Sequence, residues 1–304
     1  MDSGRGQASL FGLRTRRDQS PSSGRDQGYE QGWGPGSRGV PRYGPKRGRD
    51  ARDLGIIRDA ALLCRNGKVV AVGSAEEGER LAAAEGCVET APALEVFDAK
   101  GRVVAPGFVD PHTHLVFSGW RATEYGMRAE GRSYLDIAAA GGGIRSTVNA
   151  TREASFEDLC SRSLGFLDQM LLCGTTSCEA KSGYGLEPET ELKQLRVAAY
   201  CNERHPVDVV STFLGAHAVP ADTDVPAGHR ERFIRQVIEM LPAVKGLDLA
   251  LFVDVFCDEG AFTVDESRHI LLAAKEFGFG LKIHADELKW TGATELACEL
   301  GAVS

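Results

Sequence analysis

The sequence predicts an α/β protein whose main part is a (β/α)8 barrel, incomplete in this chain. Beyond residue 105, short apolar runs of β-forming residues alternate with stretches of helical period, a pattern typical of parallel sheets. Polar residues, several of them histidines, follow directly after these runs, and functional residues of such barrels lie at the carboxyl ends of the strands. A doubly wound sheet would also alternate, but the glycine run at 141–143 follows a helical stretch instead of a strand.

Five strands and four helices of the predicted barrel can be placed on the chain. The strands are expected at residues 103–109, 174–180, 207–214, 251–256 and 280–283. The helices are expected at residues 156–172, 188–203, 228–241 and 265–277. Ser155 followed by Asp158 resembles a capping box, and Pro188 with an acidic first turn is a typical helix start. Because a complete barrel needs about 250 residues, one that begins near Val103 is expected to lack its last strands at Ser304.

Two different segments precede the predicted barrel. Residues 1–53 are rich in Gly, Arg, Ser and Pro and poor in aliphatic side chains, so they cannot bury enough apolar surface to offset the entropy of ordering. We expect a disordered tail, for which contact with RNA is one interpretation and a plainly solvated tail is another. Residues 54–105 are predicted to form a small β unit, because Asn66-Gly67 separates two β-forming runs as in a tight hairpin.

Composition and charge exclude several classes of partner. The net charge is −8, and the acidic excess lies beyond residue 58, which argues against nucleic acid as a ligand of the folded part. No apolar run reaches the roughly 18 residues of a membrane span, and no signal-peptide core is present. The eight cysteines include no Cys-x-x-Cys pair, and Cys178, Cys201 and Cys257 are predicted to be buried, reduced thiols. We expect a cytoplasmic protein that binds no membrane.

A pair of histidines marks the candidate site. His112 and His114 follow an apolar β-forming run, and residues two apart on a strand point to the same face. Two imidazoles that converge in this way form half of a metal site. Turn histidines are the competing interpretation, but the flanking Pro-Gly and Asp-Pro dipeptides favour the metal site. His217 and His284 also follow apolar strands, and either could complete it.

A catalytic metal site usually keeps three protein ligands and an open position for water, with a general acid or base nearby. Glu287, three residues after His284, is the best candidate for that carboxylate. Its competing role is to cap the following helix, for which Asp286 also qualifies. Arg121 is suited to paired hydrogen bonds with a substrate carboxylate, although a surface salt bridge is the alternative.

The turn after the second barrel strand holds two more candidates. Tyr184 stands between two glycines, which permit close approach of the backbone to a ligand. Lys181 precedes them and would be a modified lysine if the site held two metal ions, which its position does not decide. The remaining histidines stand in polar surroundings and are predicted to be solvated: His205, His229 and His269.

These motifs converge on a known family. From about residue 55 to its end, the chain resembles the imidazolonepropionases, members of the amidohydrolase superfamily. The matching segments are residues 106–117, 140–154, 181–186, 214–220, 254–257 and 282–287. The element Pro-Gly-x-x-Asp-x-His-x-His marks the superfamily only. The runs Gly-Gly-Gly, Lys-Ser-Gly-Tyr-Gly and Gly-Ala-His-Ala-Val-Pro are together much more specific.

The resemblance implies a fold, a reaction and a set of roles. The fold is a (β/α)8 barrel over residues 106–304 with a small β-sandwich, to which residues 54–105 contribute. The reaction is the hydrolysis of a small molecule, 4-imidazolone-5-propanoate, to N-formimino-L-glutamate in histidine degradation, by a cytosolic homodimer with one zinc or iron ion per subunit. The implied metal ligands are His112, His114 and His284, the substrate-binding residues are Arg121, Tyr184 and His217, and the catalytic carboxylate is Glu287. In this family the lysine at position 181 is not a metal bridge.

The chain departs from the family at two places. In the family, the segment that corresponds to 301–304 continues to a pocket histidine and to an aspartate that binds the metal and accepts a proton from the attacking water. Without them, residues 1–304 alone are expected to be inactive and poorly soluble. Asp258 also stands where the family has glutamate. Two alternatives stay open: another cyclic amidohydrolase or a deaminase, and a catalytically dead relative that acts as a binding protein.

Overall fold

The computed structural model describes residues 48–65, 67–84, 96–133, 136–137, 142–220 and 228–304. These residues fall into two compact units, Met1–Pro106 and Gly107–Ser304. The predicted disordered tail lies outside the described residues as far as residue 47. Its end differs from the prediction, because Gly48–Arg52 forms a short 3-10 helix.

The first unit contains a hairpin followed by a helix. Strand β1 (Ala60–Arg65) pairs antiparallel with β2 (Lys68–Ser74), which confirms the hairpin prediction. Helix α1 (Ala75–Ala84) follows, and Ser74 and Glu77 exchange hydrogen bonds between side chain and backbone N–H at its start. The described residues of this unit form one two-stranded sheet and not a β-sandwich.

The second unit is built on a curled parallel sheet. Five strands pair in chain order: β3 (Phe108–Thr113), β4 (Thr175–Lys181), β5 (Asp208–Ala216), β6 (Phe252–Cys257) and β7 (Gly280–Leu281). A sixth strand, β8 (His284–Ala285), pairs in parallel with the end of β6. Helices connect β3 to β7 in succession, so the described part of this unit forms a half-barrel that agrees with the predicted α/β class. The carboxyl ends of the strands lie at one edge.

The first barrel strand starts at Phe108, five residues later than predicted. Val103 is exposed, and Pro106 has no N–H to give to a neighbouring strand. Pairing begins where the N–H of Phe108 donates to the carbonyl oxygen of residue 174, at 2.9 Å. The shift moves His112 into the strand and leaves His114 one residue beyond its end.

Seven helices are described in the second unit. They are α2 (Ala122–Ala129), α3 (Ile144–Glu153), α4 (Phe156–Leu172), α5 (Pro188–Arg204), α6 (His229–Gly246), α7 (Val264–Glu276) and α8 (Ala293–Leu300). The predicted cap at Ser155 is confirmed, because its side chain accepts the N–H of Asp158. Helix α6 continues past Pro242, where the prediction ended, since Val244 is fully buried against the core. Among the helices of the described residues, none combines the length and apolar character needed to traverse a bilayer.

Two buried clusters hold the helices on the sheet. The larger joins β5, β6 and β7 to α6 and α7, with Phe213 and Leu271 fully buried. The smaller joins β4 to α4 and α5 and includes Cys178 and Cys201, whose predicted burial is confirmed. The prediction that His205 is solvated is wrong. Its Nδ1 accepts the backbone N–H of Val207, so the ring is buried where α5 leads into β5.

Candidate active site

Four histidines meet at the carboxyl edge of the half-barrel. His112 and His114 come from the end of β3, His217 follows β5 directly, and His284 opens β8. The ring centroids of His112 and His284 are 4.5 Å apart, and those of His114 and His217 are 4.8 Å apart and nearly parallel. Successive parallel strands deliver these rings to one edge, as the sequence predicts.

Three of these histidines are placed to share a metal ion. One ring nitrogen from each of His112, His114 and His284 lies within 4.8 Å of the other two. The sequence left His217 and His284 as alternatives for the third position, and the grouping includes His284. Burial is the main cause that lowers the pKa of His112 and, much further, that of His114, which favours the neutral rings that a metal ion requires.

Two observations show that these side chains fit a cation. The Nε2 atoms of His112 and His284 lie 2.9 Å apart, and in the tautomers that leave both unprotonated, one shared ion would satisfy both lone pairs. The Nδ1 atom of His114 is buried and has no hydrogen-bond partner among the described residues. A set of imidazole nitrogens suits zinc and iron alike.

Asp254 of β6 holds the ring of His284. Its Oδ2 lies 2.9 Å from Nδ1 of His284, which leaves Nε2 directed to His112. Carboxylates of this kind fix the orientation and the tautomer of metal-binding histidines. Burial raises the pKa of Asp254, but the hydrogen bond and charge of His284, with the charge of Lys181, lower it to about 2. The sequence analysis missed this residue, whose signal is an acidic side chain inside an apolar strand.

Lys181 belongs to a buried group of charges beneath the histidines. Its Nζ lies 3.0 Å from Oε1 of Glu179 and 2.7 Å from Oδ2 of Asp254. Lys282 adds a second cation, 3.2 Å from the same oxygen of Glu179. The ammonium of Lys181 is thus committed to two carboxylates, which favours a structural role over a metal bridge. Loss of one member would leave an uncompensated buried charge.

The turn after β4 carries Tyr184 into the same cluster. Its ring centroid lies 5.1 Å from that of His114 and 5.4 Å from that of His217. Burial raises the pKa of Tyr184, and the positive charge of Arg121 opposes this shift. The buried carboxylate of Glu191, in α5, shapes the turn by accepting the N–H groups of residues 183, 185 and 186 at 2.8–3.0 Å. Sequence reasoning missed Glu191, whose only signal was its place in an acidic first helical turn.

His217 has a fixed orientation. Its Nδ1 lies 2.9 Å from the carbonyl oxygen of Gly183, which can only accept, so Nδ1 carries the hydrogen. The unprotonated Nε2 of the neutral ring then remains as an acceptor. Burial lowers the pKa of His217 to about 4, which keeps the ring neutral at physiological pH.

Arg121 forms an ion pair with Glu124, and its positive charge also acts on Tyr184. Its Nε and Nη2 lie 2.9 and 2.8 Å from Oε2 of Glu124, in α2. The other oxygen of Glu124 accepts the N–H of Gly143 at 2.8 Å, so the pair is tied to the start of α3. An open cavity of about 270 Å³ beside them is lined by Arg121, Glu124, Tyr125 and Arg128. The salt bridge that the sequence left as the alternative for Arg121 is therefore formed, and its carboxylate partner is buried.

Glu287 lies in the bend after β8, three residues beyond His284, with an exposed side chain. In the part of the chain that the structure describes, its carboxylate has no hydrogen-bond or ion-pair partner. Asp286 takes the capping role that competed for it, because Asp286 accepts the N–H groups of Thr291 and Thr294 before and within α8. The structure therefore leaves Glu287 available to a ligand without placing it in contact with the histidines.

Comparison with known protein families first indicates the broad class of protein to which this chain is similar. Residues 95–154, which include His112, His114 and Arg121, match the model of a family described as Amidohydrolase family. Comparison with individual curated proteins then indicates a particular family of relatives. The chain is 51% identical over 263 residues to an imidazolonepropionase of Symbiobacterium thermophilum, covering 86% of this chain and 60% of the relative. It is 48% identical over 253 residues to that of Bacillus cytotoxicus, covering 83% of this chain and 57% of the relative.

The particular resemblance is thereby confirmed: along most of its length the chain is homologous to imidazolonepropionases, which are hydrolases. An imidazolonepropionase of Bacillus thuringiensis gives the same result, with 48% identity over 251 residues. The chain spans 56–60% of the length of these relatives, which is less than two thirds.

Proposed function

We propose that the protein is a metal-dependent hydrolase that opens the ring of 4-imidazolone-5-propanoate to give N-formimino-L-glutamate. The observation that carries the proposal is the convergence of His112, His114 and His284 on one point. The homology to imidazolonepropionases supports the choice of substrate. His112, His114 and His284 would hold one zinc or iron ion. When bound, the ion supplies Lewis acidity and lowers the pKa of water so that it attacks the ring carbonyl at neutral pH.

The other side chains of the site bind different parts of the substrate. Arg121 binds the propionate carboxylate through charge-assisted hydrogen bonds, with Glu124 fixing its guanidinium. His217 accepts a ring N–H of the imidazolone at Nε2, because its Nδ1 hydrogen is given to Gly183. Tyr184 packs against the rings of His114 and His217 and excludes water from the side of the site that binds the imidazolone ring.

Glu287 is the group that moves protons during ring opening. The carboxylate helps to deliver a proton to the leaving ring nitrogen, and general acid–base catalysis of this kind typically contributes about 10²–10⁴-fold in rate. Its exposure and its place three residues beyond His284 support this role. Asp254 and Lys181 act only on the ligand His284 and on the charge balance beneath it.

The remaining proposals concern the whole protein. Residues 106–304 form part of a (β/α)8 barrel and residues 54–105 the beginning of a small β-sandwich, with residues 1–53 as a tail. The protein is a cytoplasmic homodimer whose folded part binds neither nucleic acid nor membranes. The homology to metabolic enzymes supports this setting.

The test follows the near-ultraviolet absorbance of the imidazolone and the release of ammonia in one reaction. We expect the absorbance to fall without release of ammonia in the zinc- or iron-loaded protein from its native source, and no turnover by residues 1–304 alone. Because the chain spans less than two thirds of its relatives, the 304-residue chain and the protein isolated from its native source are assayed in parallel. Ammonia release would instead identify a deaminase. A native protein that binds no transition metal and consumes no imidazolone would support a binding protein.

Matched histidine variants connect the reaction to the site. His114→Ala should abolish both metal retention and turnover, because His114 offers a ligand nitrogen that no described residue replaces. His269→Ala is the control, since that histidine is exposed on α7. Equal metal content and turnover in the two variants would contradict the proposed site.

A further inference from the structure

We infer that Asp258 is a positioning residue that fixes the loop from which Glu287 projects. The inference rests on the proposed function in one respect, because it takes Glu287 as the carboxylate that moves protons. Asp258 itself stays at the end of β6 and touches no reacting atom. It acts through the backbone of a loop that begins two residues beyond the ligand His284.

Consecutive main-chain N–H groups of that loop converge on the Asp258 carboxylate. The N–H of Leu288 donates to Oδ2 at 2.7 Å, and the N–H of Lys289 donates to Oδ1 at 3.2 Å. The N–H of Glu259, next to Asp258 in the chain, also donates to Oδ1, at 2.6 Å. Successive N–H groups that point into one concavity form an anion-binding nest, which here is filled by a side chain of the same protein.

Burial makes this contact specific. Asp258 is only 4% exposed, although it follows the last residue of a strand at the open edge of the sheet. Burial raises the pKa of Asp258, but the N–H groups outweigh it and lower the pKa, so the carboxylate is ionised. A buried anion is retained only where it is hydrogen-bonded, and all of its recorded donors come from its own loop and from the loop of Glu287.

The far side of the loop is held by a second aspartate. Asp286 has a φ of +54°, a conformation that turns the chain so that the following N–H groups face Asp258. Its own carboxylate accepts the N–H groups of Thr291 and Thr294, which ties the loop to α8. The segment that bears Glu287 is therefore attached to β6 by Asp258 and to α8 by Asp286.

The position of the Glu287 carboxylate depends on this attachment. Its side chain is exposed and has no partner among the described residues, so side-chain packing does not orient it. The backbone contacts at Asp258 and at Asp286 then set where the backbone of Glu287, and with it the reach of the carboxylate, stands relative to His284. A displacement of about 1 Å at a catalytic group can cost roughly 10²-fold in rate. Substrate binding, which the proposed function assigns to Arg121, Tyr184 and His217, does not depend on this loop.

The experiment compares Asp258→Asn with two other variants in the complete, metal-loaded protein. The amide of Asn keeps the shape but directs a donor at the loop N–H groups, so it removes half of the acceptor surface. Asp265→Asn is the matched control, since it makes the same exchange of carboxylate for amide at an exposed position on α7. Asp258→Glu keeps the charged acceptor and is the conservative rescue.

Three measurements are made on each variant: hydrogen exchange at amides 287–289, metal content, and kcat and KM. For Asp258→Asn we expect at least about 10-fold faster exchange, unchanged metal content, and a fall in kcat of about 10- to 100-fold with KM nearly unchanged. Asp265→Asn should match the wild type, and Asp258→Glu should recover part of the loss. Unchanged metal content shows that the histidines, and hence the fold, are intact.

Each other result contradicts the inference or a different proposal. Wild-type exchange rates in Asp258→Asn would show that Asp258 does not hold the loop. Faster exchange with an unchanged kcat would show that it holds the loop but does not position Glu287. If the wild-type protein consumes no imidazolone, the proposed function fails, and the exchange rates still decide whether Asp258 anchors the loop.

Discussion

The Nδ1 of His217 is hydrogen-bonded to the carbonyl oxygen of Gly183, 2.9 Å away, across the ends of strands β5 and β4. This contact joins two residues 34 positions apart in the chain. It fixes the tautomer of the histidine and the path of the turn that carries Tyr184. The two side chains that we assign to the substrate ring therefore depend on one main-chain oxygen.

Gly183→Ala should disrupt that contact. Gly183 has a φ of +108°, and an added Cβ would lie 2.8 Å from Nδ1 of His217 and 2.9 Å from the oxygen of Leu214. We expect a loss of about 1–3 kcal/mol in the free energy of unfolding and a raised KM, measured by urea titration and steady-state kinetics. The control is Gly165→Ala in α4, where nothing lies within 4 Å of the new Cβ. That change should leave KM unchanged and stabilise by about 0.5–1 kcal/mol.

Asp254→Asn should weaken metal binding without removing a ligand. The amide cannot hold the Nδ1–H of His284 as the carboxylate does, and loss of such a partner typically costs about 10- to 100-fold in metal affinity. Competition with a chromophoric chelator measures the affinity for zinc. Asp265→Asn, an exposed change on α7, is the control. An affinity equal to that of the wild type would show that Asp254 does not orient His284.

Arg121→Ala should act on substrate binding. A charge-assisted hydrogen bond contributes about 1.5–3 kcal/mol, so we expect KM to rise by about 10- to 100-fold while kcat changes little. Arg196→Ala, an exposed arginine on α5, should leave both constants unchanged. An unchanged KM in Arg121→Ala would refute the role in binding the propionate. If Arg121 does bind the propionate, a substrate analogue without that group should bind equally well to the variant and to the wild type.

Glu266 predicts a defined dependence of stability on pH. The hydrogen bond from Arg230 is the main cause that lowers its pKa from 4.5 to about 2, and its side chain also closes the capping box of α7. Because the pKa is lower in the folded state, its stabilisation is complete above about pH 5 and is lost as pH falls toward 2. Urea titrations should therefore show Glu266→Gln less stable than wild type at pH 7, with a smaller difference at pH 3. A difference independent of pH would contradict this assignment.

Whether the sequence predicts a contact of the site depends on how far apart along the chain its two residues lie. The convergence of strand-end histidines follows from strand periodicity and from the common edge of parallel strands, so it was predictable, whereas the choice of His284 over His217 came only from the family resemblance. Asp254 and Asp258 were not recognised, because each acts on a partner about 30 residues away whose register no local pattern reveals.

In the fold, too, features set by neighbouring residues were predicted and features set by distant residues were not. Caps and hairpin turns, such as Ser155 before α4, use neighbouring residues and were predicted correctly. The start of β3 was wrong because pairing with β4, and not local β propensity, sets it at Phe108. His205 was taken as solvated because its polar neighbours in sequence do not show that Val207 and β5 cover it.

The three histidines of the candidate metal centre come from parts of the chain as much as 172 residues apart. Bringing such distant segments together requires the intervening β–α units to be docked, since their order in the sheet is the order in the chain. A measurement of metal retention therefore reports whether the β–α units of the second unit have assembled together. A ligand at 100 times its dissociation constant adds about 2.7 kcal/mol to the native state. Under the proposed function, the supply of metal in the cell would thus also influence how well the folded second unit resists proteolysis.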